Sequence, residues 1–143
     1  MDESLIRECF QIIIDAHSDS VSEQRVLISL YLVDRGFKYE YGESLTDVEY
    51  ILLHEKPYSD FLTFLLEESA NHGYLERSRE LSSGESCLYS NSERSMDITL
   101  SSETIAVIGR TVEMVSELDD SELVEWVRLL PEVQESDWRE SIL

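Results

Sequence analysis

The chain has 143 residues, of which 42% are hydrophobic, and carries 31 acidic against 11 basic side chains for a net charge of −20. That is enough length and apolar content for one domain with its own core, 1–143, without disulfide or metal staples. Five glycines and two prolines exclude collagen-like and proline-rich classes, and no apolar run approaches the roughly 18–20 residues of a membrane span.

In chain order, Ser4 to about Ala16 is predicted to be a helix, because Leu5, Ile6, Cys9, Phe10, Ile13 and Ile14 recur at helical spacing. Ser20-Val21-Ser22-Glu23 matches a capping box and starts a second helix near residue 21. That helix carries Val26, Leu27, Leu30, Tyr31 and Val33, and Gly36 is placed to stop it in the left-handed conformation. Phe37, Tyr39 and Tyr41 then alternate with Lys38 and Glu40, the pattern of a short strand closed by Gly42. A third helix is expected from Ser44 or Thr46 through Tyr50, Ile51 and Leu53, interrupted by Pro57. Ser59 caps a fourth, with Phe61, Leu62, Leu65 and Leu66 as its buried stripe and Asn71-His72-Gly73 at its end.

Tyr74-Leu75-Glu76 leaves extended, and the polar run 76–86 is expected to be a loop. Cys87-Leu88-Tyr89 and Met96 to Leu100 look like the two strands of a hairpin. A fifth helix starts at Ser101 or Ser102 and buries Ile105, Ile108, Val112 and Val115. Asp119-Asp120-Ser121-Glu122 caps a sixth, with Leu123, Val124, Val127 and Leu130 inside, and Pro131 stops it. The expected fold is therefore mainly α with a small β-hairpin (α+β), about six helices, and a winged-helix-like order in the middle of the chain. Residues 131–143 form an acidic carboxy-terminal tail. Its Val133, Trp138, Ile142 and Leu143 can dock on this domain or on a partner.

The acidity disfavours direct nucleic-acid binding, where phosphate neutralisation supplies most of the affinity, and docking on anionic membranes. It fits a basic protein partner, or a salty cytoplasm whose ions screen self-repulsion. Two lysines against nine arginines is a bias associated with proteins of halophiles, in an archaeal or viral setting, although only three alanines are present. Net charge falls along the chain, from −4 over residues 1–36 to −6 over 37–80 and −10 over 81–143. The acidic amino terminus lacks the basic segment of a secretory signal, and the two cysteines, Cys9 and Cys87, form no pair motif. A cytoplasmic location is expected.

No arrangement carries catalysis. His17, His54 and His72 lie outside metal-ligand spacing of one another and of either cysteine. Asp97, Asp119 and Asp120 do not have the spacing of a calcium loop. There is no phosphate-cradling glycine loop, nucleophile elbow or zinc motif. No enzyme activity, cofactor or metal is expected. The helix that would read DNA in a winged-helix module, Ser59 to Asn71, carries Asp60, Glu67 and Glu68 and neither lysine nor arginine. Tyr39, Tyr41, Tyr50, Tyr58 and Phe61 cluster around Pro57; core packing accounts for most such aromatics, and an exposed one can anchor an interface.

Leu27-Ile28-Ser29-Leu30-Tyr31-Leu32-Val33-Asp34 resembles the KLLYLAD helix of the Panacea (SocA-like) antitoxin domains. Tyr50 to Leu66, with Pro57-Tyr58-Ser59, is similar to that family's Gly-Pro turn into a helix, and Met96 to Ser101 resembles the start of its penultimate helix. Ser121 to Val124 and Trp138 resemble its closing segment. The related YwgA-like proteins share much of this pattern. Lys56 stands where the family has glycine, and Val127 and Arg128 where its closing histidine falls.

The resemblance implies a mostly helical, non-enzymatic domain that binds a protein partner, which in Panacea proteins is a toxin or a toxin with a protease. The expectation is an antitoxin-like interaction protein that binds and neutralises a basic partner, a toxin or a nucleic-acid-binding protein; a homodimer is compatible. Its partner-binding residues are expected to be Tyr58, Glu132, Glu135, Asp137 and Trp138. Two other readings stand beside it: a nucleic-acid-mimicking inhibitor from a virus or mobile element, and a degenerate winged-helix transcription regulator.

Overall fold

A computed structural model describes residues 2–17, 20–79, 87–92, 97–135 and 142. The fold is mainly α with a small antiparallel β part, and the described residues form six helices. Helix α1 (Glu3–Ala16) is capped by Asp2, whose carboxylate accepts from the Ser4 and Leu5 amides, and it buries Ile6, Cys9, Phe10, Ile13 and Ile14. Strand β1 (Val21–Ser22) leads into α2 (Glu23–Tyr41), which Ser22 caps by accepting from the Arg25 amide.

Helix α2 does not stop at Gly36, and residues 37–41 are not a strand. The apolar stripe Leu30, Val33, Phe37, Tyr41 continues at helical spacing through the glycine. The left-handed stop comes six residues later at Gly42, with φ 83° and its amide donating to the Lys38 carbonyl.

The third helix expected near 46–53 is also absent. Strands β2 (Ile51–Leu53) and β3 (Lys56–Tyr58) form an antiparallel hairpin, with Leu52 opposite Pro57. Val48, Tyr50 and Leu52 are buried at alternate positions, the period of a strand rather than a helix. His54 and Glu55 turn the hairpin, both at positive φ (52° and 63°), as a two-residue primed turn requires.

Helix α3 (Asp60–Asn71) is capped by Ser59 and buries Leu62, Leu65, Leu66 and Ser69. It ends in a Schellman motif, with the Gly73 amide donating to Ala70 and the Tyr74 amide to Ser69. Strand β4 (Leu75–Arg79) takes up the start of the expected loop and pairs with β5 (Cys87–Asn91), whose other edge pairs with β1. The sheet order β1-β5-β4, with α1 before β1 and α2 and α3 between β1 and β4, is the winged-helix order, completed by a two-residue strand too short to read from sequence.

Residues 97–100 do not form the expected second hairpin strand. The Thr99 amide and hydroxyl both donate to the buried carboxylate of Glu8 on α1, so that amide serves a side chain instead of a strand ladder. Helices α4 (Ser102–Ser116), α5 (Asp120–Arg128) and α6 (Pro131–Glu135) follow. Ser101 caps α4, and a reciprocal Asp119–Glu122 capping box starts α5.

Buried side chains hold the long connections. The Asp34 carboxylate accepts from the Thr46 amide at 2.8 Å, the Thr46 hydroxyl and the Tyr50 phenol at 2.7 Å. Tyr50 meets Tyr31 edge to face with centroids 5.1 Å apart. Arg25 donates to Asp120 at 2.8 Å and to the carbonyls of Val115 and Leu118, joining α2 to the end of α4 and the start of α5.

Candidate functional site

Helix α3 leads directly into the β4–β5 pair, and its outward face is open. Leu62, Leu65, Leu66 and Ser69 anchor α3 to the core, so the opposite stripe is Asp60, Phe64, Glu67 and Asn71, spaced four, three and four residues apart. Phe64 is 55% exposed at the centre of that stripe. The nearby bases are paired to acids on α3: Arg7 with Glu68 at 3.1 Å and Arg77 with Glu67 at 3.5 Å. The helix thus presents a phenyl ring among carboxylates, and the guanidinium on the adjoining strand is matched by Glu67. A phosphate backbone finds little to bind there, whereas an aromatic side chain gives a protein partner large contact area at low entropy cost.

Three of the residues expected to bind a partner are described, Tyr58 on β3 and Glu132 and Glu135 on α6. Tyr58 is half-buried on β3, one residue before the α3 cap, and lines a groove of about 260 Å³ with Leu27, Leu53 and Pro57 on its apolar side. Glu132 pairs with Arg35 of α2 at 2.6 Å, inside the molecule rather than toward a partner. Glu135 is exposed at the end of α6. Asp137 and Trp138 lie outside the described residues. Two apolar residues of the tail belong to the core: Val133 and Ile142 are each 5% exposed, and the Ile142 amide donates to the Tyr50 carbonyl at 3.0 Å.

Phe64 is the feature that sequence reasoning missed. Counting along α3 from Leu62, Leu65 and Leu66 places residue 64 on the opposite side, so its position off the apolar stripe was the available signal.

Burial pushes the Cys9 thiol up to about 12, with Asp34 and Glu8 adding to the effect, which leaves it protonated and unreactive at neutral pH. His17 Nδ1 lies 2.8 Å from the Ile13 carbonyl, and burial holds its pKa below the usual value. His54 occupies the hairpin turn and His72 the α3 C-cap. Asp120 is the partner of Arg25. Among the described residues no three His, Cys, Asp or Glu side chains converge to hold a metal ion, and no helix is long and apolar enough to cross a membrane.

Fold and surface together give an acidic, mainly α domain with a small antiparallel sheet in winged-helix strand order, whose α3 carries carboxylates and one exposed aromatic on its outward face. No family model, curated protein or solved structure matches the chain.

Proposed function

We propose that this chain is a non-catalytic, antitoxin-like interaction protein of the cytoplasm that binds and neutralises a basic protein partner through the outward face of α3. The observation that carries the reading is Phe64, exposed between Asp60 and Glu67 on the helix that a winged-helix DNA reader would fill with bases. Carboxylates steer a basic partner and raise its association rate, and the aromatic slows its release. The net charge of −20 supports the same choice of partner.

The test compares the wild-type protein with Phe64→Ala as immobilised bait in a lysate at the source's ionic strength. The reading requires a basic protein that the wild type retains and Phe64→Ala releases. Equal retention by both baits, or retention of nothing basic, overturns it.

The strand order favours a second reading, a winged-helix regulator. The acidic α3 opposes it, and titration with duplex DNA separates the two.

A further inference from the structure

A second feature lies where α2 ends against the start of α4. Phe37 and Tyr41 stand one helical turn apart on the last two turns of α2, with ring centroids 5.3 Å apart and planes inclined by 42°. Phe37 packs partly against the core, while Tyr41 is 59% exposed. Gly42 then reverses the chain in the left-handed conformation, which brings Glu43 to the same place. Glu103, Thr104 and Val107 of α4 form the facing wall, and the space between is a groove of about 330 Å³.

Among the described residues neither Glu43 nor Glu103 has an arginine partner, which holds also for exposed acids elsewhere such as Glu40, Asp47, Asp60 and Glu135; what sets this groove apart is the pair of contacting aromatic rings beside its two carboxylates. The carbonyl end of α2 adds the negative end of its macrodipole, while Glu103 in the first turn of α4 offsets the positive end of that helix. Lys38, the nearest base on α2, lines an adjoining cavity.

Two aromatic rings beside two unpaired carboxylates form a receptor for a planar cation: the ring faces attract it through their quadrupole and the carboxylates neutralise it. The protein already makes such a contact a few residues away, where the Arg35 guanidinium sits 4.8 Å from the Tyr39 ring centroid.

We propose that the groove between Phe37, Tyr41, Glu43 and Glu103 binds an arginine side chain of the basic protein partner, as a second contact apart from α3. This rests on the interaction reading above and specifies part of the partner's chemistry. Guanidinium suits the groove better than ammonium because it is planar, stacks on aromatic faces and donates to two carboxylates at once.

The probe is the peptide acetyl-Gly-Arg-Gly-amide, titrated into the full chain at low ionic strength and followed by NMR. The same peptide with citrulline in place of arginine is the uncharged control. Saturable shifts confined to Phe37, Tyr41, residues 42–45 and the first turns of α4 are expected with arginine and not with citrulline. Tyr41→Ala, and separately the double variant Glu43→Gln/Glu103→Gln, should each weaken binding about threefold or more. Both change exposed side chains, and an unchanged melting temperature verifies their folding.

Equal shifts with citrulline, shifts spread over every acidic surface, or shifts that survive both variants would overturn the inference. If the peptide binds here but no basic protein is retained by the chain, the groove stands and the interaction reading falls. If a basic protein is retained through Phe64 and the peptide fails, the groove alone falls.

Discussion

The Tyr50 phenol donates to the Asp34 carboxylate at 2.7 Å, and both side chains are withdrawn from solvent. The pair fixes where the segment after Gly42 crosses back over α2, since Asp34 also takes the amide and hydroxyl of Thr46. The Tyr50 carbonyl receives the amide of Ile142. One buried carboxylate thus organises the 42–50 connection, the β2–β3 hairpin that follows it and the return of the carboxy terminus. A buried polar network of this kind stabilises only while every member is satisfied.

Burial raises the Asp34 pKa above its ordinary value of 3.8, against the opposing effect of the donors from Thr46 and Tyr50. The folded chain therefore takes up this proton at a higher pH than the unfolded chain. Between the two pKa values the folded state binds more protons, so the Asp34 contribution to stability grows as pH falls and is lost as pH rises through the folded pKa. Asp34→Asn has no such titration. The melting temperature of the wild type relative to Asp34→Asn should rise as pH is lowered from neutral toward the ordinary carboxylate value of 3.8. A difference that stays constant all the way down through that value would show that Asp34 titrates alike in both states.

Arg25 offers a prediction on stability. Its side chain is 11% exposed and donates to two carbonyls near the end of α4 and to Asp120. Arg25→Met removes all three donors, leaving the Val115 and Leu118 carbonyls without this partner. The expected loss is about 2–3 kcal/mol in urea unfolding, because hydrogen bonds made by a charged, mostly buried donor contribute more than neutral ones. Arg25→Lys keeps the charge but not the fork and should recover only part of it. A loss below about 0.5 kcal/mol for Arg25→Met would mean that water replaces the guanidinium at little cost.

What was legible in the sequence was the local chemistry of helix starts. Ser59, Ser101 and Asp119 are N-caps where their patterns place them, because a short polar side chain before an apolar period satisfies free amides with its own neighbours; at α2 the cap is Ser22 rather than the Ser20 of the expected capping box, because Val21 and Ser22 pair as β1 before the helix begins. Helix ends were harder. Gly36 and Gly42 are equally able to stop α2, and the helix runs past the first because Phe37 packs partly against the core, a contact that local sequence does not show. Strand β1 has two residues, too few to carry a period, and Thr99 is held by Glu8, 91 residues away. The candidate site was half visible: Asp60, Glu67 and Glu68 of α3 stand in the sequence, but the expected stripe of Phe61, Leu62, Leu65 and Leu66 leaves Phe64 unassigned. Glu132 appeared free because its partner Arg35 lies 97 residues earlier.

The reading face of α3 gives a prediction on DNA. A fluorescent duplex of about 20 base pairs at about 0.15 M salt should show no saturable anisotropy change, because affinity depends on phosphate contacts with bases. The α3 helix supplies none, and the Arg7 and Arg77 beside it are paired. A submicromolar, sequence-dependent complex at that salt would reverse the choice between a protein partner and a winged-helix regulator.

Glu132 and Glu135, three residues apart and both expected to steer a partner, should separate cleanly. Glu132 is half-buried and pairs with Arg35 at 2.6 Å, closing α6 onto α2 beside the buried Val133. Glu135 is exposed. Glu132→Gln removes the charge opposite a guanidinium that is only 24% exposed, and should lower stability by about 1–2 kcal/mol, or roughly 3–6 °C in melting temperature for a domain of this size. It should leave association with a basic partner almost unchanged, because that charge is already compensated. Glu135→Gln should do the reverse: an unchanged melting temperature, and a slower association rate whose deficit shrinks as salt is raised. Deleting Pro131 to Leu143 removes Val133 and Ile142 from the core and should cost about 3 kcal/mol or more at the usual value of a buried aliphatic side chain. The tail therefore cannot be removed as a passive appendage, and its contribution to recognition has to be measured with Glu135→Gln. Calorimetry and stopped-flow association at two salt concentrations decide the matter. If Glu132→Gln leaves the melting temperature unchanged and slows association as much as Glu135→Gln does, the Arg35 pair is open in solution and Glu132 belongs to the partner surface after all.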